Sequence, residues 1–309
     1  MTWAERDTYV EEVTRDVFAF IQPDGSWMVN NCGFVVGSSG RSVLVDTSST
    51  ERRTAQFMDA VRAHSSQPPM ALVNTHHHPD HTYGNFLAPQ GTPVVGHVRC
   101  REEVLAAGLE ATKVITTPDY GKLELRPPDF TFSDRLTLHL DETPVELEYV
   151  GPAHTSNDVL VWLPEQKVVF AGDLAFAGGQ PFLLEGSLAG FPKALARIKE
   201  LGAEALVPGH GPVVRGADVN TLLDDLTGYV EFVSRIASEG MADGRTPLQV
   251  AEKYKDNPYS GWQETERLVG NLHRAYSELS GNDLFTRLRV PDVWPEMVSF
   301  HGGPIGCKA

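Results

Sequence analysis

The chain has few cysteines, no long apolar run and little positive charge, and each shortage removes a class of function. Cys32, Cys100 and Cys307 are the only three cysteines in 309 residues. They are widely spaced, odd in number and outside any CxxC pair. That excludes a disulfide framework and points to reduced, buried and inert thiols in a cytoplasmic protein. No segment approaches the roughly 20 apolar residues of a membrane helix. Met1 to Asp16 mixes acids with Arg6 and lacks the apolar run of an export signal. Basic residues number 26 against 41 acidic ones, giving a formal charge of -15, and the densest basic cluster is Arg52-Arg53. Such a surface repels phosphate backbones. Neither nucleic acid nor membrane is expected as a partner.

What is present is an ordinary globular composition, 41% apolar, with two textures. Up to about residue 215, strand-like and helix-like segments alternate. Short β-branched runs fall at Val17 to Ile21, Gly33 to Val36, Ser42 to Val45, Met70 to Val73 and Pro93 to Val95. Others follow at Arg135 to Leu140, Val145 to Val150, Val159 to Leu163 and Val168 to Phe170. Thr50 to Ala63 reads as a helix capped by Thr50, with Phe57, Met58 and Val61 inward. From Gly216 the pattern is helical: Leu222, Leu223, Leu226, Val230, Val233 and Ile236 recur at helical spacing. Two more helices are expected, one from Thr246 and one from Gln263 to a stop at Gly281. Residues 1–215 are therefore expected to form an α/β catalytic domain. Residues 216–309 are expected to form a helical region packed on it, as pocket wall, homodimer surface or both.

The chemistry lies where strands end. His76-His77-His78-Pro79-Asp80-His81 follows the strand Met70 to Val73. On extended chain His76 and His78 point to the same side, so both imidazoles reach one ion, while a turn at Pro79 brings Asp80 and His81 toward a second. Three further potential ligands follow in order, each beside glycine after a strand: His154 in Gly151-Pro152-Ala153-His154, Asp173 in Ala171-Gly172-Asp173, and His210 in Val207-Pro208-Gly209-His210-Gly211. Imidazole with carboxylate suits zinc, with iron or manganese as alternatives. Asp46, ending a strand, is either a partner for a ligating histidine or a turn residue before Thr50. His77 is expected to point away from the metals. His64, His97, His139, His273 and His301 have only surface or packing roles.

The order His-x-His-x-Asp-His, His, Gly-Asp, Gly-His resembles the metallo-β-lactamase superfamily, over roughly residues 15 to 215. The resemblance implies an αββα sandwich with the metals at one edge. His76, His78 and His154 would hold one zinc ion, Asp80, His81 and His210 a second, and Asp173 would bridge the two together with a hydroxide. Asp80 and Asp173 are then the catalytic carboxylates. Diiron flavoproteins of this fold carry a carboxylate where His78 stands.

Two regions bear on the substrate. The segment from Gly25 to Phe34, with Trp27, Met28 and Phe34, is expected to overlook the metals. The loop after Asp173, with Phe176 and Phe182, is expected to roof a hydrophobic pocket. With the strings Glu266 to Tyr276 and Phe300 to Pro304, the first segment is similar to actinomycete second- and third-ring cyclases of aromatic polyketides. That resemblance implies metal-assisted aldol closure and dehydration of a polyketide. The alternative is zinc-dependent hydrolysis of a thioester, lactone or amide, β-lactams included. A carrier-bound thioester would serve both.

Overall fold

In the computed structural model, which describes residues 7–309, thirteen strands form two sheets. The first six residues of the N-terminal stretch considered above lie outside that range. The first sheet has the spatial order β1 (Tyr9–Thr14), β2 (Val17–Ile21), β3 (Cys32–Val36), β4 (Ser42–Val45), β5 (Ala71–Val73), β6 (Val94–His97) and β7 (Phe130–Phe132). Pairing is antiparallel from β1 to β4 and parallel from β4 to β7. The second sheet runs β13 (Val214–Arg215), β12 (Ala205–His210), β11 (Val168–Phe176), β10 (Val159–Leu163), β9 (Thr143–Tyr149) and β8 (Arg135–Leu140). Only β11 and β12 are parallel in it.

Strand alternation divides the apolar side chains between two packing layers. Val17, Ala19 and Ile21 of β2 face the second sheet and meet Leu147, Val161 and Phe170 in the inter-sheet core. Phe18 and Phe20 point the other way, onto Phe57, Met58 and Val61 of α1 (Glu51–His64). This two-sided burial explains why β2 is an unbroken apolar run. Phe34 belongs to the same outer layer, with its ring 4.8 Å from that of Phe18. It is fully buried there under α1, which overturns its expected place in a substrate wall. A one-residue step along β3 separates the two faces, and Phe34 takes the wrong one for the metal edge.

The outer face of the second sheet is covered by α5 (Phe191–Leu201) and the long α6 (Ala217–Ala242). Behind them lie α7 (Pro247–Lys253), α8 (Arg267–Leu279) and α9 (Val290–His301). Leu160, Val169, Leu195, Leu226, Val233 and Leu272 share one cluster, so the C-terminal helices and the sheet have a common core. The remaining helices are α2 (Pro79–Thr82), α3 (Val98–Ala107) and α4 (Ala111–Val114). Thr50 caps α1 by accepting from Arg53 N, and Thr246 forms a capping box with Gln249 at the start of α7. Among the described residues no helix is long and apolar enough to cross a membrane. The three thiols are unpaired; Cys32 and Cys100 are buried, but Cys307 is only half-buried and donates to Trp27 O at 3.0 Å.

Candidate metal centre

Parallel pairing of β4 with β5, and of β11 with β12, sends four strand ends to one edge of the sandwich. Asp46 follows β4, His76 to His81 follow β5, Asp173 lies in β11 and His210 ends β12. His154 reaches them from the loop between β9 and β10. Asp173 was expected in a loop after a strand ending near Phe170. Instead β11 continues to Phe176, with its register against β12 shifting around Gly172. That irregularity turns the Asp173 carboxylate toward the histidines.

The ligand atoms form two groups, His76, His78, His154 and Asp173 in one, and Asp80, His81, Asp173 and His210 in the other. Within each group all lie within 4.8 Å of one another, and Asp173 belongs to both. The rest of the structure fixes which nitrogen of most rings faces inward. His81 Nδ1 donates to Asp46 at 2.9 Å, leaving Nε2 3.0 Å from Asp173 Oδ1. His210 Nδ1 donates to Gly25 O at 3.0 Å, leaving Nε2 3.2 Å from Asp80 and 3.3 Å from Asp173. His76 Nδ1 donates to Thr75 Oγ1 at 3.1 Å, and that hydroxyl donates to Asp46 at 2.7 Å. His78 Nε2 donates to Glu185 at 3.0 Å, so its bare Nδ1 faces His154 Nε2 at 2.8 Å. Two ring nitrogens that close, with His76 Nε2, His81 Nε2 and Asp173 Oδ1 buried without hydrogen-bond partners, are the donor set of a cation site. The residues fit a pair of divalent ions.

The local field agrees. Burial alone would lower His81 and His210, but the carboxylates around them, Asp173 foremost, lift His210 to about 9 and His81 well above its usual range. Burial alone would raise Asp80, yet His81 and His210 bring it down to about 2. Asp173 is likewise held well below the carboxylate range, against burial, by His210, His81 and His154. Burial keeps His76 and His154 well below the usual imidazole range, in the neutral form that binds metals. Around His81 and His210 the field therefore favours added positive charge.

Of the residues singled out from sequence, the structure brings together all seven ligands, and also Trp27, Met28, Phe176 and Phe182. Asp46 is a partner of His81 and Thr75, and Thr50 takes the capping role. His77 points away from the seven, with Nδ1 3.0 Å from Asn157 Nδ2 and Nε2 3.7 Å from Glu185. Sequence reasoning missed Glu185, Asn157 and the polar face of α8. Burial alone would raise Glu185, but hydrogen bonds from His77 and His78 hold it well below the usual carboxylate range. It is thus an ionised acceptor that orients His78.

Glu185 is held in place by α8. Arg267 Nη1 donates to Gln180 O at 2.8 Å, Asn271 bonds Pro181 O and Leu183 N, and Arg274 Nε donates to Leu184 O at 2.9 Å. Glu278 accepts from Leu188 N and Ala189 N. Positions 267, 271, 274 and 278 share one helix face, and each ties down backbone of the loop around Glu185. The candidate ligands His78, Asp80, His154, Asp173 and His210 line a cleft that is open to solvent at its mouth. Trp27, Phe176 and Phe182 form one wall; the Trp27 ring meets Phe182 edge-on at 5.0 Å, and Phe176 stacks on His210 at 5.1 Å. α3, α4 and residues 287–291 form the opposite side.

Residues 25–210 match the family model described as Metallo-beta-lactamase superfamily. A metallo-beta-lactamase type 2 of Bacteroides fragilis is 24% identical over 239 residues, spanning 74% of this chain and 89% of that protein. A hydroxyacylglutathione hydrolase of Brucella anthropi is 28% identical over 198 residues, spanning 62% of this chain and 68% of that protein. Among solved structures, a metallo-beta-lactamase from Pontibacter korlensis aligns with TM-score 0.59 at 24% identity, covering 72% of this chain and 99% of that one. A double mutant of the sec-alkyl sulfatase PisA1 aligns with TM-score 0.69 at 18% identity, covering 96% of this chain and 55% of that one. At those identities the structures speak for the fold alone, the second of them across the C-terminal helices too. With the family model covering well over half of the sequence, the chain belongs to the metallo-β-lactamase superfamily.

Proposed function

We propose that the chain is a dizinc enzyme that hydrolyses an acyl bond, of a thioester or lactone, in a substrate with a large, flat apolar portion. The observation that carries this is two ligand groups sharing Asp173 at the inner end of a cleft walled by aromatic side chains. Two divalent ions, if held there by these residues, would supply Lewis acidity toward a carbonyl oxygen and would lower the pKa of bound water. The remaining tasks fall to the chain. Asp173 keeps both ligand groups in register. Asp80, ionised and beside His210, accepts a proton at the inner end of the cleft. Trp27, Met28, Phe176 and Phe182 exclude water and present aromatic faces to the substrate. Relatives named for thioester and β-lactam hydrolysis support the hydrolytic reading.

The enclosed apolar wall favours a second reading, closure of a later ring in an aromatic polyketide. There the cleft folds a poly-β-ketone into one reactive conformer, and the Asp80 carboxylate takes the α-proton before water is lost. A carrier-bound thioester suits both readings, and the unpaired thiols support a cytoplasmic setting.

Mass spectrometry of zinc-loaded protein with thioesters, lactones, β-lactams and one-ring polyketide intermediates separates the two. A lactone or β-lactam made heavier by one water, or a thioester split into its acid and its thiol, establishes hydrolysis. A polyketide product lighter by one water establishes a cyclase. No turnover of any of these at full metal content overturns both.

A further inference from the structure

Three arginines reach the cleft, and two of them are neutralised. Arg287 pairs with Glu103 at 3.4 Å and Arg289 with Glu110 at 3.0 Å, both at the mouth. Arg267 is different. It is 2% exposed, and its guanidinium lies 4.6 Å from the Trp27 ring and 5.0 Å from the Phe176 ring. Of its donors, Nη1 bonds Gln180 O, while Nε is buried without any acceptor. No carboxylate forms an ion pair with it among the described residues. Glu264 and Glu266 feel its charge without forming an ion pair with it; Glu266 accepts from Trp27 Nε1 at 2.6 Å and shares a hydrogen bond with Glu264.

A buried guanidinium with unspent donors is costly, and the faces of two aromatic rings offset only part of that cost. The Nε edge is the side on which a guanidinium grips a carboxylate in two bonds. Arg267 is separated from the metal edge by one ring, since Phe176 stacks on His210 and also contacts the guanidinium.

We infer that Arg267 is the anchor for a carboxylate on the substrate, so that the cleft takes acid-bearing aromatic carbonyl compounds. This rests on the proposed carbonyl chemistry for its role in turnover, but not for binding. The apolar rings hold the flat body of the molecule, Arg267 holds its acidic end, and the carbonyl is left at the metal ligands. The arrangement selects by charge within a protein whose overall charge is -15. An acid entering the cleft must overcome general repulsion, and Arg267 offers it a cation other than the metals.

The test compares 2-naphthoate with neutral 2-naphthamide binding to the zinc-loaded protein, followed by calorimetry, in wild type, Arg267→Met and Arg267→Lys. Wild type is expected to prefer the acid by about 10- to 100-fold. Arg267→Met should abolish that preference, read as the ratio of the two affinities because the residue also ties Gln180 O and packs on Trp27 and Phe176, and Arg267→Lys should keep part of it. Should Arg267→Met fail to fold, the lysine variant decides, because it retains the charge and loses the fork. An acid preference that survives in either variant at full strength overturns the inference, since the acid would then be bound by the metals. So does a wild type without preference, or an equal loss of both probes. An acid preference that follows Arg267 in a protein that turns over no carbonyl substrate would sink the proposed reaction and leave the anchor standing.

Discussion

At the level of single residues, the centre is built so that the second nitrogen of most ligating rings is already occupied. Asp46, Thr75, Gly25 O and Glu185 take those nitrogens, which fixes ring orientation before any ion arrives. Gly25 comes from 185 residues before His210, and Glu185 from 107 residues along the chain from His78. Replacing its carboxylate by an amide, Glu185→Gln, keeps the size and removes the charge that polarises His78. Metal affinity is expected to fall by roughly 10- to 100-fold, with no large change in melting of the metal-free protein. Chelator competition followed by metal analysis measures it. Wild-type affinity in this variant would reduce Glu185 to a packing residue. The seven ligands were legible in sequence because most follow a strand and stand near a turn or a glycine, a local pattern, although Asp173 lies within β11. Glu185, Asn157 and Arg267 were not, because nothing near them in the chain tells which histidine or cavity they will meet.

At the level of elements, the close approach of β11 to β12 sets the bridging position. A Cβ at Gly209 would stand 1.9 Å from Asp173 Oδ1 and 2.8 Å from the Gly172 backbone. Gly209→Ala must therefore push the bridging carboxylate aside or part the two strands. The expected result is a folded protein that no longer gains thermal stability from zinc, whereas wild type does, because only a site formed in the native state yields that gain. A zinc-dependent rise equal to that of wild type would show that Asp173 tolerates the displacement. The strands that sequence missed are β1, β7 and the two-residue β13, whose residues are mostly half-buried or exposed and so lack an apolar run. Sequence also missed α3, α5 and α9; α9 carries Pro291 and Pro295, and a reading from propensity stops at proline. Pro291 is harmless in the first turn, where no backbone donor is needed. The misplaced Phe34 has a similar origin: alternation shows that neighbours face opposite sides, but not which side meets the metals.

At the level of the whole molecule, the sequence suggests a boundary at residue 215, while the packing ties the two parts together. Leu223, Leu226, Tyr229, Val230, Val233 and Ile236 of α6 are buried in the cluster that includes Leu160 and Val169 of the second sheet. At about 1.5–3 kcal/mol for each fully buried apolar side chain, these six alone rival the whole stability of a typical domain, about 5–15 kcal/mol. α8 adds a second dependence, because its buried polar face holds the loop that carries Phe182 and Glu185. A chain ending at residue 215 is therefore expected to lose more than a pocket wall. It should lack a cooperative melting transition, and the zinc it binds should be released at chelator concentrations that leave the full chain loaded. Calorimetry and chelator titration of the two lengths side by side test this. A shortened chain that melts cooperatively and keeps both ions would make residues 1–215 an independent domain, with the C-terminal helices an attachment that shapes only what the cleft accepts.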